Sequence, residues 1–327
     1  MLRPVKRKFL IDTDTASDDA VALIMALRHP SVEVLAITTV AGNVPVQQAS
    51  RNALYTVELC GSDVPVFMGA KKPLRREHRS ADWFHGRDGL GECGYATEAR
   101  RVETKCARDA IIETIEANPG LVLVTLGPLT NVAMAVEKRP EVANKVSRCV
   151  VMGGAACCEG NVTPAAEYNI WCDPDAARTV MRSGLRIELV SWHLCRGQAV
   201  LSRSEIERVR NFNNPIAEFA IECNRLAQQA YFVQTGEHGI CLPDPVAMTV
   251  ALEPSVVTFE SEHFVEVETE SVLTQGMTVI DRLNVAEDQR NRQVWAEALA
   301  RGRKAKVIWS IDNARWKKTL YGALGRG

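Results

Sequence analysis

Over its first two-thirds the chain repeats one unit, a short apolar strand followed by a helix, and this alternation leaves few folds open. Residues 9–12 read as a strand, 18–27 as a helix, and the β-branched run VEVLAITTV (32–40) as a strand buried on both faces. A helix over 46–60 follows, with Pro45 placed at its first turn. The rhythm continues with a strand at 64–67, a helix at 107–117 closed by Asn118-Pro119-Gly120, and a strand at 121–126. Pro128 and Thr130 open the next helix; a strand at 146–152, a helix at 175–182 and a strand at 185–191 complete the series. The pattern predicts an α/β fold, an open, mostly parallel sheet flanked by helices on both faces. In such sheets ligands bind beyond the carboxyl ends of the strands.

The remainder is less regular. Residues 204–231 read as two helices, the second capped near Asn214-Pro215. HFVEVETE, MTVID and KVIWSID predict extra strands in the C-terminal third, and a helix at 315–324 closes the chain. Without repeats, low-complexity tracts or a linker, residues 1–327 are expected to form a single domain. Residues 69–104 show little periodicity and are too long for an ordinary connection, so a functional flap is expected there.

Apolar residues make up 46% of the 327 residues, enough for a large core, and charged residues 24%, with a formal net charge of -1. That balance speaks against nucleic acid or an anionic membrane as partner. No stretch approaches the ~20 apolar residues of a membrane span, and the apolar run in MLRPVKRKFLID is too short for a signal peptide. The ten cysteines, with Cys60, Cys106, Cys149 and Cys223 inside apolar runs, read as reduced thiols. Cys157 and Cys158 are adjacent and no Cys-x-x-Cys occurs, which argues against structural zinc. A soluble, cytoplasmic protein is the expectation.

The densest chemistry follows the first strand. FLIDTDTASDDAVALIMAL carries Asp12, Asp14, Asp18 and Asp19 where a buried strand gives way to a helix. Helix capping explains one or two acids at such a place. Four acids this close repel one another and are expensive to bury, and a hard cation such as Ca²⁺ relieves both costs. An EF-hand loop is excluded, because its glycine and glutamate positions hold Ser17 and Leu23. An aspartyl-phosphate phosphatase also places Asp-x-Asp after a first strand, but it does not call for the Asp18-Asp19 pair.

Further signals stand at strand ends or helix starts: Asn43 in TTVAGN, Leu126 before GPLTN, Met152 in VMGG, and Asp244 in DPVA. Asn161, Glu167 and Asn169 crowd into nine positions, and spaced amides with a carboxylate suit a polyhydroxylated ligand, although asparagine is also an ordinary turn residue.

Together DTDTASDDAVAL, TTVAGN, GPLTN, VMGG, EGN…AEYN, DPDAA and DPVA resemble the inosine–uridine nucleoside hydrolase family, in order, from Phe9 to about Leu324. The resemblance implies Ca²⁺-dependent hydrolysis of the N-glycosidic bond of a ribonucleoside, in nucleoside salvage or purine metabolism. It implies metal binding by Asp14, Asp19 and Asp244 and by the carbonyl of Leu126. Asp18, Asn43, Asn161, Glu167 and Asn169 would hold the ribose, with Met152 beneath it and Asp12 supporting the loop. Asp14 would also be the general base, activating a water held at the ion. A homo-oligomer, dimer or tetramer, is implied too.

One part of the resemblance is broken. Many family members carry a histidine immediately before the aspartate that matches Asp244, whereas this chain has Pro243, and VSWHLCRG replaces a usual Asp-containing element. Trp83, His85, Trp192, His193, Tyr231 and His238 are the candidates for contact with the departing base. Purine nucleosides are slightly favoured, because a stacked purine presents a larger π-face. Two other readings stand beside hydrolysis: a divergent ribosyl-ligand binding protein with little activity, and a metal-dependent phosphohydrolase using Asp12 and Asp14.

Overall fold

The computed structural model describes residues 6–97 and 99–325. Nine strands form one sheet: β1 (Arg7–Thr13), β2 (Val32–Thr39), β3 (Val66–Met68), β4 (Val122–Thr125), β5 (Arg148–Met152), β6 (Ile187–Val190), β7 (Val257–Val267), β8 (Thr278–Ile280) and β9 (Arg303–Ile311). Their order across the sheet is β3-β2-β1-β4-β5-β6-β9-β7-β8. The pairs from β3 to β9 are parallel, while β7 is antiparallel to both β9 and β8. The helices are α1 (Ser17–Leu27), α2 (Val46–Leu59), α3 (Asp82–His85), α4 (Ala107–Ala117), α5 (Thr130–Lys138), α6 (Tyr168–Cys172), α7 (Pro174–Met181), α8 (Arg203–Arg210), α9 (Pro215–Glu222), α10 (Arg225–Thr235), α11 (Pro243–Leu252), α12 (Gln289–Arg292), α13 (Ala296–Arg301) and α14 (Asn313–Leu324).

Strand periodicity divides the core in two. In β1, Phe9 and Ile11 belong to one apolar cluster with residues of α1, α9, α11 and α14. Leu10 belongs to the other, with residues of α4, α5 and α7. Side chains that alternate along a strand must supply both layers, so the central strands read as continuous apolar runs. The expectation for β2 holds only in part: Glu33 is exposed and Leu35 half-buried, because the strand's beginning lies near the sheet's margin.

Three local expectations are corrected. Residues 203–235 form three helices, since the chain breaks again at Asn224, between α9 and α10. The strand expected from HFVEVETE begins earlier, at Val257, and ends at Val267. Cys106 is exposed at the start of α4, with its thiol 3.3 Å from Asp109 Oδ2, and is no core residue. All ten cysteines are free. No described helix is long and apolar enough to cross a membrane.

The sheet order reverses direction between β1 and β4. Chain order runs outward from β1 through β2 to β3 on one side, and from β4 through β5 to β6 on the other. The loops leaving β1 and β4 therefore diverge and open a crevice above their carboxyl ends.

Candidate active site

That crevice holds the acidic cluster. β1 ends at Thr13 and α1 starts at Ser17, which sets Asp14 in the loop and Asp18 and Asp19 in the first turn of the helix. Asp244 arrives from the first turn of α11. Asp14 and Asp19 are fully enclosed, Asp244 is 3% exposed and Asp18 8%. Carboxylate oxygens of Asp18, Asp19 and Asp244 lie within 4.8 Å of one another. Asp14, a ligand by resemblance, stands beside this triad; its Oδ2 accepts a 2.5 Å hydrogen bond from the Asn43 amide. Asp19 is anchored by Thr13 Oγ1 at 2.5 Å and by the Ala16 amide at 2.9 Å.

The energetics are adverse unless something shares the charge. Burial, and then repulsion from Asp19, pushes Asp14, Asp18 and Asp244 above the carboxylate range, Asp18 to about 7. Burial also lifts Asp12 to about 7, against hydrogen bonds from Asn131 at 2.8 Å and Thr38 at 2.5 Å. Asp14 Oδ1 and Asp18 Oδ1 are buried without a hydrogen-bond partner. The unpartnered oxygens of Asp14 and Asp18, both on the β1–α1 connection, with Asp19 beside them and Asp244 arriving from α11, make a donor set for a hard divalent cation, so these residues fit one. The Leu126 carbonyl, placed by β4, accepts from Asn169 Nδ2 at 2.8 Å and keeps a second lone pair.

The cleft above leaves only about 70 Å³ of free volume, less than the roughly 300–1,000 Å³ of small-molecule sites. Asp18, Asn43, Leu126, Met152, Asn161, Glu167, Asn169 and Asp244 all line it. Glu167 caps α6, with Oε1 accepting from the Asn169 amide at 2.9 Å and Oε2 from the Gly154 amide at 2.8 Å. Burial nonetheless raises its pKa above the usual carboxylate value. Asn161 Oδ1 accepts from the Tyr168 amide at 2.9 Å. These bonds fix a row of polar groups along one wall.

The candidates for base contact separate. Trp83, His85 and Trp192 line the cleft, Trp83 61% exposed at its mouth and Trp192 buried. His85 is buried, with Nδ1 2.9 Å from Ser17 Oγ and 3.9 Å from Asp18 Oδ1. Burial lowers its pKa to about 3, so the ring is neutral. The other three are directed elsewhere. His193 bonds Ser191 Oγ at 2.8 Å and the Trp309 carbonyl at 3.3 Å. Tyr231 is fully enclosed and donates to Glu237. His238 is exposed and stacks on Phe232 at 4.2 Å.

Sequence reasoning missed Phe84, Asn224, Gln234 and Cys241, which also line the cleft. Asn224 and Gln234 carried no strand-end signal, because they reach the cleft from helices packed over it. The region expected to be a flap does contribute: Ala81 and residues of α3 line the site, and a loop follows α3. That loop is fastened by Arg225 Nε to the Gly91 carbonyl at 2.5 Å. A wider concavity at the starts of β5 and β6 includes the ion pair of Arg148 with Glu188 at 2.6 Å and, among the described residues, gathers no buried unpartnered side-chain atom.

Comparison with known proteins bears on the family and the fold. The family described as "Inosine-uridine preferring nucleoside hydrolase" matches residues 9–318. A protein of Oryza sativa subsp. japonica named probable uridine nucleosidase 1 is 37% identical over 84% of this chain and 85% of its own. A plant nucleoside hydrolase of known structure has a TM-score of 0.90 at 32% identity, covering 98% of this chain and 99% of that one. The purine-preferring ribonucleoside hydrolase from Gardnerella vaginalis has a TM-score of 0.84 at 29% identity, with the same coverage.

Proposed function

From the premise that this chain belongs to the inosine-uridine preferring nucleoside hydrolase family, whose members are glycosidases acting on N-glycosyl compounds, we propose that it hydrolyses ribonucleosides to ribose and free base, with Ca²⁺ as its ion and Asp14 as general base. The observation that carries this reading is the set of enclosed carboxylates with unpartnered oxygens at the mouth of β1 and β4.

Asp14, Asp19, Asp244 and the Leu126 carbonyl would hold the ion, and Asp18 clusters with Asp19 and Asp244 at the same place. When bound, the cation would supply an anchor for ribose hydroxyls and water and would lower the pKa of that water. Asp14 takes the proton from the attacking water. Its position is fixed from both sides: a Cβ on Gly42 would lie 2.1 Å from Oδ2, and one on Gly127 2.6 Å from Oδ1. Asn43, Asn161, Glu167 and Asn169 orient the sugar, and Asp18 binds a hydroxyl beside the ion. As the C1′–N bond breaks, the ribosyl ring gains oxocarbenium character, and the surrounding carboxylates stabilise it. Met152 lies beneath the sugar, and Trp83 and Trp192 flank the base.

A cytoplasmic role in nucleoside salvage suits a chain with ten free cysteines. A homo-oligomer is inferred as well, supported by exposed Val272, Leu273 and Leu283 in the C-terminal third; light scattering of the purified protein checks it. The test of the main reading is a reducing-sugar assay across purine and pyrimidine ribonucleosides, with and without chelator. Release of ribose that stops on chelation and returns with Ca²⁺ is the expected outcome. Phosphate release from nucleotides with inert nucleosides would favour a phosphohydrolase instead.

A further inference from the structure

The adjacent thiols of Cys157 and Cys158 take no part in the reaction above, yet they sit on the loop that carries Asn161 to the cleft. β5 ends at Met152, and residues 156–158 make the turn that follows. Cys157 is exposed and Cys158 half-buried, both as free thiols. The Cys157 backbone is left-handed, with φ 53°, a conformation that is unfavourable for any residue with a Cβ. Of the other cysteines, Cys149, Cys172, Cys195, Cys223 and Cys241 are buried, and none of the eight neighbours another in the chain.

Both flanks of the pair are pinned. Upstream, the Ala156 amide donates to Ser191 Oγ at 3.2 Å. Downstream, Glu159 is paired with Arg196. Gly160 is packed so closely that a Cβ would lie 2.1 Å from the Ala166 carbonyl oxygen. Asn161 then accepts from the Tyr168 amide at its Oδ1 and from Gln234 Nε2 at its carbonyl. A turn of the backbone between Cys157 and Cys158 is therefore passed on to Asn161.

Consecutive Cα atoms stand ~3.8 Å apart, closer than the ~4.4–6.8 Å that disulfides usually span. A bridge between neighbours forms only if the backbone between them turns, and it is readily reduced. We propose that Cys157 and Cys158 are a reversible modification site, where a hydroperoxide oxidises the two thiols to a vicinal disulfide and the turn this forces loosens Asn161 from the cleft wall. That Asn161 holds ribose rests on the hydrolase reading; the oxidation site does not.

The steps balance. The Cys157 thiolate, the exposed one, attacks a peroxide oxygen, and the O–O bond breaks. The sulfur becomes a sulfenic acid, and the leaving oxygen takes up the proton that Cys157 gave to solvent. The Cys158 sulfur then attacks the Cys157 sulfur. The S–S bond forms, the S–O bond breaks, and the departing hydroxide takes the Cys158 proton and leaves as water. Two electrons pass from the thiols to the peroxide. Burial, and then Glu159 beside it, pushes Cys158 up to about 11, which suits it to the second step, where its target is the adjoining residue. A small thiol restores the pair by exchange, as befits a transient bridge in a reducing compartment.

The purified full chain, carrying Cys106→Ser to remove the other exposed thiol, is treated with hydrogen peroxide. Peptide mass spectrometry after alkylation should find residues 157 and 158 in a peptide lighter by two hydrogens and closed to the reagent, and dithiothreitol should reopen them. Amide exchange across residues 160–168 should quicken on oxidation. KM for nucleosides should rise about 5-fold, what one hydrogen bond is worth, with kcat little changed. Both effects should revert with dithiothreitol, which leaves methionine sulfoxide in place, and both should be absent in Cys158→Ser. A pair that peroxide leaves unchanged, or Cys157 carried to sulfinic acid while Cys158 stays open to alkylation, overturns the site. A bridge with unaltered exchange and KM overturns its hold on Asn161. A bridge with faster exchange, in a chain that releases ribose from no nucleoside, upholds the site and overturns the hydrolase reading.

Discussion

Asp14 is held at the closest approach of two loops, and that crowding makes single-residue predictions sharp. Gly127 lies so near that a Cβ would also come within 2.8 Å of the Asp14 backbone nitrogen. Backbone cannot swing aside as a side-chain tip can. Gly127→Ala is therefore expected to cost about 1–3 kcal/mol of stability through overpacking and to displace the carboxylate. Urea unfolding and ribose release measured on the same preparation check both effects. Asp14→Asn keeps the shape and the hydrogen bond from Asn43 but loses the proton acceptor. Its turnover should fall at least ~100-fold while ribose-containing ligands still bind by calorimetry. Turnover close to wild type would remove Asp14 from the role of base.

At the level of elements, the helices over the crevice do more than the sequence pattern announced. α9 starts where expected, with Asn214 Oδ1 accepting from the Ile216 amide at 3.1 Å and the Ala217 amide at 3.0 Å. Asn214→Ala should cost about 1 kcal/mol, visible as a lower denaturation midpoint with little change in ribose release. The break at Asn224 was not legible, because nothing in ECNRLAQQ interrupts helical periodicity. The break follows from tertiary contacts: Asn224 Nδ2 turns back to the Ala220 carbonyl at 3.0 Å, and Arg225 is drawn across to the Gly91 carbonyl. Arg225→Ala should loosen the loop after α3. Faster proteolysis between residues 86 and 97 and a raised KM are expected, and an unchanged cleavage pattern would dismiss the latch.

For the whole molecule, the buried acids couple metal, pH and stability. Asp12 and Asp18 titrate near 7 in the folded chain, against roughly 3.9 in an unfolded one. A folded-state value above the unfolded one means that the native state binds more protons across this range. Its stability is then full below the unfolded value and declines as pH rises through the folded value. In chelator, the melting temperature should fall from about pH 5 to about pH 8. Ca²⁺ binds the ionised carboxylates, so its stabilisation should grow with pH, reaching about 2.7 kcal/mol at a hundredfold excess over Kd. Thermal melts at both pH values, with and without millimolar Ca²⁺, decide it; a metal-free midpoint that climbs with pH would contradict the burial of these groups as anions.

The chain's own order of residues determined the α/β architecture, since apolar runs of strand length separated by helical periods bury themselves in one way, as a covered parallel sheet. It also determined which residues meet at the carboxyl edge, because Asp14 and Leu126 follow a strand directly, Met152 ends one and Asn43 stands four residues past another, and a strand's end is a local property. The separation of Trp83, His85 and Trp192 from His193, Tyr231 and His238 was decided by packing alone. Each of those six is an aromatic ring on a loop or helix, and which way a ring faces depends on the partner that fills the space behind it. Trp309 engages His193, Glu237 engages Tyr231 and Phe232 engages His238, and all three partners lie outside the motifs that identify the site.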